Sequence, residues 1–535
     1  MSKELSRRSF LKGAMAAGFA LGTGSAAALA ENEGAGLNWD DEADLIVVGS
    51  GTGLFAALFA AFHGHRSIVL EKNGIIGGTT ITSGAQVWVP CNRWAKEVVG
   101  SEWTEEEAFA YMKAGDLYNA TTDEKRWDYI RNMHRIMEYM EDEMGYPLMV
   151  MRGYGEYDKL PQGQPEGHSI GFANRDTGER IRPSQMIPEY MIPEIEAAGG
   201  KVLTDHNVKK LIQDETGRVI GVQAVTKDGT TLNFHATQAV ILAAGGFDRN
   251  EEMCRTYLRG PLFGSMVCSG NTGDGIRMGM AVGGDLGGMQ NTLGGNVYID
   301  EYDPDAFFDH NKGFDFGSYR SGAYSMIVNK HGRRFMDEAV PYSNFPDAVY
   351  HLDTADHSFT NIPAYLISTE KGIELNGWPA GKEQPEWVKR FDTLDELADF
   401  YGIDARNLKE EVEKFNGYAE TGVDEEFSRG TNPWARGMAK PVEGLINPYL
   451  GKVEAPYYVC MIAPGSLGTK GGLKTTTDAQ VVNVFGEKIE GLYAVGTNAA
   501  AVMGWTYGGG GGGVGPGVFQ SFKAVNHIYG LHLFD

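Results

Sequence analysis

The feature that most constrains this chain is one stretch near its start. Asp44-Leu-Ile-Val-Val-Gly49-Ser-Gly51-Thr-Gly53 sets an apolar, β-branched run directly before three glycines, and the apolar run Leu54 to Phe62 follows. That order of residue types dictates a buried strand that enters a glycine turn and opens a helix. Glycines let the backbone approach a diphosphate, and the helix N-terminus behind them stabilises its charge. A second apolar run, Ser67-Ile-Val-Leu, ends in Glu71-Lys72. Glu71 stands about twenty residues beyond Gly51, where a carboxylate at a strand end reaches the hydroxyls of a ribose. The sixth position of the G-x-G-x-x-G pattern is Leu54, so the reading rests on strand, helix and acid in register rather than on the glycines alone. The expectation is an α/β protein built on a Rossmann-like dinucleotide-binding sheet.

Composition narrows the ligand. Of 535 residues 73 are glycine, about twice ordinary usage, and without the G-x-y period of collagen. Several glycine loops follow the acid: Gly77-Gly78-Thr79-Thr80, Ser83-Gly84 and Asn271-Thr272-Gly273-Asp274-Gly275. Gly512-Gly-Val514-Gly-Pro516 then opens the last expected helix, where free N–H groups can face an electron-rich ring oxygen. One fingerprint with many glycine loops around one extended ligand favours FAD over NAD.

Other classes fall away. A net charge of −24 repels nucleic acid and anionic lipid. With 42% hydrophobic and 22% charged residues, the chain is neither disordered nor polytopic in a membrane. Cys91, Cys254, Cys268 and Cys460 have no C-x-x-C spacing, which argues against an iron–sulfur cluster, ordinary zinc site or c-type haem, and reads as free or packed thiols. The 12 histidines form no ligand pattern, so no metal is expected.

The N-terminus reads as an address. Arg7-Arg8 precedes an apolar stretch from Ala14 to Leu29 that ends in Ala28-Leu29-Ala30. Residues 1–30 are expected to be a twin-arginine signal peptide that exports the folded protein to the periplasm or another extracytoplasmic compartment. No later run approaches the roughly 20 apolar residues of a membrane span. The texture of the sequence then divides it into a dinucleotide domain at 41–292, an inserted domain at 293–455 and a return to the first domain at 456–535. Residues 101–200 read as mostly helical, with a polar loop from Arg152 to Gly167.

The ordered set Gly49-Ser-Gly-Thr-Gly53, Glu71-Lys72, Gly77-Gly-Thr79, Ala243-Ala-Gly-Gly246, Asn271-Thr-Gly-Asp-Gly275 and Gly491-Leu-Tyr-Ala-Val-Gly496 resembles the flavoproteins grouped with fumarate reductase and 3-ketosteroid Δ1-dehydrogenase. Gly422-Val-Asp-Glu-Glu-Phe-Ser-Arg-Gly430, Leu467-Gly-Thr-Lys-Gly-Gly-Leu473 and Val502-Met-Gly-Trp-Thr-Tyr507 are similar to ketosteroid dehydrogenase segments. The resemblance runs from Asp44 to the C-terminus. It implies a glutathione-reductase-like FAD domain with an inserted α+β catalytic domain. It also places FAD against Gly49, Gly51, Thr52, Gly53, Glu71, Lys72, Gly77, Gly78, Thr79, Thr80, Ser83, Gly84, Val208, Ala244, Gly245, Asn271, Thr272, Gly273, Asp274, Gly496, Gly512 and Val514.

The fumarate reductase ending, a histidine and an arginine before paired glycines, is absent. Tyr507 and six glycines stand there, and no cation lies between Met503 and Ser521. A dianion needs fixed cations, so this end suits a neutral carbonyl compound, a 3-ketosteroid or other bulky cyclic ketone or enone. Arg333-Arg334 could supply cations, but Gly332-Arg-Arg-Phe335 looks like the family's structural G-x-R-F strand. By resemblance, Tyr507 O–H and the Gly511 N–H polarise the ketone, Tyr342 is the base and Tyr157 supports it, with Tyr154 an alternative to Tyr157. Asp337 stands where the family usually has asparagine. The same site run backwards would be an enone reductase, and the potential of the external electron partner, a quinone, cytochrome or oxygen, sets the direction. A flavin-binding electron carrier would instead leave the tyrosines idle.

Overall fold

Strand β1 (Asp41–Val48) lies in the middle of a sheet because every residue from Leu45 on is buried on one face or the other. Leu45 and Val47 enter one core cluster, Ile46 and Val48 a second on the opposite face. This computed structural model describes residues 37–535 except 101, 102, 158, 165 and 318, and the side chains of 99 and 435. The signal peptide expected at 1–30 lies outside the described residues.

Helix α1 (Gly53–Phe62) follows the glycine turn and is buried from Gly53 to Ala60. A Cβ at Gly53 would stand 2.7 Å from both Ala243 Cβ and Val47 Cγ1, so glycine there sets how closely helix and sheet pack. Strand β2 (Ser67–Leu70) pairs parallel with β1. Helices α2 (Glu105–Gly115) and α3 (Asp123–Asp142) form a layer on the α1 side; Thr104 caps α2 in a reciprocal box with Glu107. The segment 101–200 is less helical than its sequence suggests. Ser169–Phe172 is the centre of a three-stranded sheet with Val87–Trp88 and Leu148–Val150.

Strand β3 (Lys201–Leu203) pairs with β2, and β4 (Thr231–Leu242) with β1 on its other side. Val208-Lys-Lys-Leu-Ile and Val219-Ile-Gly-Val222, either side of a turn at Glu215-Thr-Gly217, read as strands, and the chain pairs them as the hairpin His206–Gln213 and Val219–Thr226. A second sheet is built on β5 (Thr292–Ile299), β6 (Ala364–Thr369) and β7 (Tyr457–Thr469), with β7 pairing antiparallel to both of the others. Alternate residues of β6 serve different cores, Leu366 on one face and Tyr365 and Ile367 on the other. The chain then returns to the first sheet with β8 (Gln480–Val482) and β9 (Lys488–Ala494), giving the order β8-β9-β4-β1-β2-β3, and ends in α4 (Gly515–Ile528). Phe522 of α4 stacks on Phe59 of α1 at 4.2 Å.

Gly332-Arg-Arg-Phe335 is not a strand. Gly332 turns back on Asn329 with φ +73°, after the strand Ser325–Val328 has ended. Arg334 is fully buried against Glu338 at 2.8 Å and Asp424 at 2.9 Å, and Arg429 joins Glu338 at 3.1 Å. Arg333 reaches Glu410 at 2.7 Å. These arginines hold the second domain together, and neither Arg333 nor Arg334 reaches the cavity described next. Asp424 and Arg429 of the Gly422–Gly430 segment belong to the same cluster.

Candidate active site

One cavity of about 610 Å³ runs from the glycine turn of β1 to the aromatic side chains of the second domain. Its volume lies in the ordinary range for cofactor and ligand sites. Of the expected cofactor residues, all line it except Gly53, Gly77, Thr272, Gly273 and Gly512. Those five stand directly behind the wall. Gly77 N–H donates to Ser50 Oγ at 2.8 Å, Thr272 Oγ1 accepts from Lys72 Nζ at 2.8 Å, and Gly273 is the left-handed cap of the helix Asp274–Ala281. Gly512 lies against the Tyr507 carbonyl, where no side chain fits.

At the dinucleotide end the wall is mostly backbone. Gly49 has φ +101°, and a Cβ there would stand 2.7 Å from the Ala243 carbonyl carbon and Ala244 Cα. Glu71 is aimed by its neighbours: Oε2 accepts from Ser50 N at 3.1 Å and Ser50 Oγ at 2.6 Å, and Oε1 from Asn73 N at 2.9 Å. Lys72 joins Asp274 at 2.6 Å and so ties the acid's strand to the Asn271–Gly275 loop. An elongated dinucleotide fits this lining, with a bare backbone for the diphosphate and a held carboxylate for a ribose.

The other end is made of side chains. Tyr342 and Tyr507 hydrogen-bond through their hydroxyls, with ring centroids 5.4 Å apart. Trp434 meets both rings edge-on, and Phe316 meets Tyr342. Burial pushes the Tyr507 phenol above its usual value, and the bond with Tyr342 and the backbone of Gly511 offset this only in part. Burial, with Tyr507 beside it, holds the Tyr342 phenol well above 10. The six-glycine run is an ordered loop. Gly511 has φ +98°, and a Cβ there would stand 2.5 Å from the Val87 backbone. Tyr111 O–H donates to the Gly508 carbonyl, and the Trp88 ring lies against Gly508 and Gly509.

Tyr157 does not line the cavity. Its hydroxyl lies 3.0 Å from Oγ of Ser343, the residue after Tyr342, while Tyr154 takes a place on the cavity wall. Asp337, in the turn before Tyr342, accepts from Ala339 N at 2.8 Å and is pushed up to about 6 by burial. Sequence reasoning missed Gln86, Arg180, Arg182, Phe316 and Met438 on the wall. Nothing in residue type separates Phe316 or Met438 from core positions, and Arg180 is placed by a carbonyl contact to Gly84 at 2.6 Å between distant segments.

A family model described as FAD binding domain matches residues 44–514. The chain is 31% identical to the 3-oxosteroid 1-dehydrogenase of Mycolicibacterium smegmatis, over 91% of this chain and 97% of that protein. It is 30% identical to the urocanate reductase of Eggerthella lenta, over 86% of this chain and 71% of that one. Among solved structures, the 3-ketosteroid Δ1-dehydrogenase of Sterolibacterium denitrificans, in complex with 1,4-androstadiene-3,17-dione, is similar with a TM-score of 0.78 at 28% identity, covering 92% of this chain and 100% of that one.

Proposed function

The chain belongs to the FAD binding domain family and is an FAD-dependent oxidoreductase, and on that premise we propose that it is a 3-ketosteroid Δ1-dehydrogenase acting outside the cytoplasm. The observation that carries this reading is the meeting of Tyr342 and Tyr507 at the end of the dinucleotide cavity, with Gly511 on the same wall. The Tyr507 hydroxyl and the Gly511 N–H donate to the C3 ketone oxygen and stabilise the negative charge that develops there. Tyr342 takes the proton from C2 as the C1–C2 double bond forms. When bound, FAD supplies the acceptor for the hydride that leaves C1. Trp434 packs edge-on against both phenols, and Phe316 gives the cavity wall apolar surface beside Tyr342. A quinone or cytochrome outside the chain then removes the electron pair.

The experiment is an anaerobic titration of the flavin-loaded protein with androst-4-ene-3,17-dione. Bleaching of the oxidised flavin with formation of the 1,4-diene is the expected result, and an unchanged spectrum overturns the reading.

The same residues serve the reverse direction, which the potential of the electron partner sets: Tyr342, whose phenol burial raises well above 10, would donate its proton to an enone carbon. An exported reductase of a conjugated enone is therefore the second reading. Reoxidation of the chemically reduced protein by 1,4-androstadiene-3,17-dione, without bleaching in the forward titration, would select it.

A further inference from the structure

The loop that carries Tyr507 is gripped from behind by a buried lysine. Lys470 follows β7 and is 5% exposed; its Nζ donates to the carbonyl of Trp505 and, at 3.2 Å, to that of Thr506. Its own carbonyl accepts from Ala501 N at 3.0 Å, so main chain and side chain hold the same segment. Trp505 is fixed from two further sides. Its N–H donates to Asp116 Oδ1 at 2.8 Å, and the Arg259 guanidinium lies over its ring at 4.8 Å. Arg259 also pairs with Asp347, five residues beyond Tyr342. The elements that bear the two phenols thus share one set of charged anchors.

A buried ammonium that bonds only to carbonyls costs more than an apolar side chain of the same size. The fold alone gives no reason for it, whereas the loop two residues away has to hold a phenol to a fraction of an ångström. We propose that Lys470 is a positioning residue for the reaction: by holding the carbonyls of Trp505 and Thr506 it sets the Tyr507 hydroxyl against Tyr342 and the substrate ketone. The proposal rests on the reading of Tyr507 as the ketone's hydrogen-bond donor. The charged groups that face Lys470 are Asp347, Asp116 and Arg259; burial outweighs the two carboxylates and pushes the lysine down to about 8. Above that pH the charge-assisted bonds become weaker neutral ones and the loop slackens. Tyr342, held well above 10, would by itself make the forward rate keep rising over the same range.

The test compares flavin-loaded wild type with Lys470→Met, Lys470→Gln and Lys125→Met. Lys125 is the control, because burial also pushes it down to about 8 but its Nζ lies on Thr475, at 3.2 Å. The wild-type kcat profile is expected to show an alkaline limb with a midpoint of about 8, where it bends below the rise set by Tyr342. Lys470→Met should lose roughly tenfold or more in kcat at pH 7, with KM changed less than about threefold, and lack the alkaline limb. Lys470→Gln, which keeps a donor but cannot titrate, should recover part of the rate and also lack the limb. Lys125→Met should keep it. Independently of any substrate, amide hydrogen exchange over residues 503–511 should quicken about tenfold or more in Lys470→Met and stay unchanged elsewhere. Wild-type exchange and pH dependence in a flavin-loaded Lys470→Met would overturn the proposal, as would a wild-type profile with no alkaline limb. Should Lys470→Met lose its flavin, Lys470→Gln and the wild-type profile decide. Wild-type turnover by Tyr507→Phe would sink the reading of Tyr507; a crippled Tyr507→Phe with unaltered Lys470 variants would sink only the role of Lys470.

Discussion

The two ends of the cavity are built in opposite ways. The dinucleotide end is walled largely by main chain, in short stretches where glycine permits close approach, and its side-chain bonds join β1 to the strand beside it. The phenol end depends on side chains, and the two that meet there, Tyr342 and Tyr507, are 165 residues apart. Backbone recognition can be written in a contiguous motif because one turn carries all of it. A pair of phenols has to be brought together by two loops, each held by its own anchors.

The largest effect that would test this contrast is a single methyl group at the first end. Gly49→Ala forces a Cβ against the Ala243–Ala244 backbone at φ +101°, and flavin content per polypeptide should fall to about a tenth or less. Recovery of a fully yellow protein would show that the backbone is not what excludes a side chain. Tyr342→Phe should do the reverse, leaving flavin content intact while kcat drops roughly 10²- to 10⁴-fold. In the forward direction wild-type kcat/KM should carry no basic-group plateau from Tyr342 below pH 10, because its phenol is held above that value and the ionised fraction grows with pH throughout. Ser50→Ala removes the hydroxyl that donates to Glu71 and accepts from Gly77 N, and should weaken flavin binding by about tenfold, read by equilibrium titration of the apoprotein. Tyr157→Phe should matter least, changing kcat by less than about threefold, since its hydroxyl touches Ser343 and not the cavity.

The same contrast governs what could be read in advance. Strand, turn, helix and acid were legible from Asp44 to Glu71 because local spacing alone determines them. So was the hairpin at Gly217, where turn chemistry and alternating residues agree. The strand pattern at Gly332–Phe335 misled because Arg334 is kept by two buried acids, Glu338 on the next turn of chain and the distant Asp424, and Arg333 by the distant Glu410, rather than by sheet pairing. The place of Tyr154 on the cavity wall, rather than Tyr157, follows from contacts across the fold: the Gly510 position lies against Tyr154 Cβ, and Gly437 against the Gly153 backbone. No local pattern in Arg152–Tyr157 distinguishes the two tyrosines.

The position of β9 has a consequence for how the protein is made. Its residues Leu492–Ala494 pair with Val240–Leu242 of β4, which in turn pairs with β1, so the first and last parts of the chain are neighbours at the heart of one sheet. A nascent chain therefore carries β1 and β4 out of the ribosome long before the strand that covers the open side of β4 has been synthesised. Until then β4 presents a free apolar edge, the kind of surface that recruits other chains. Pairing across such a separation is also slow, because a long loop must close before any contact rewards it. The flavin cradle is thus completed only once β9 has been made, although its signature at Gly49–Gly53 is translated long before that strand.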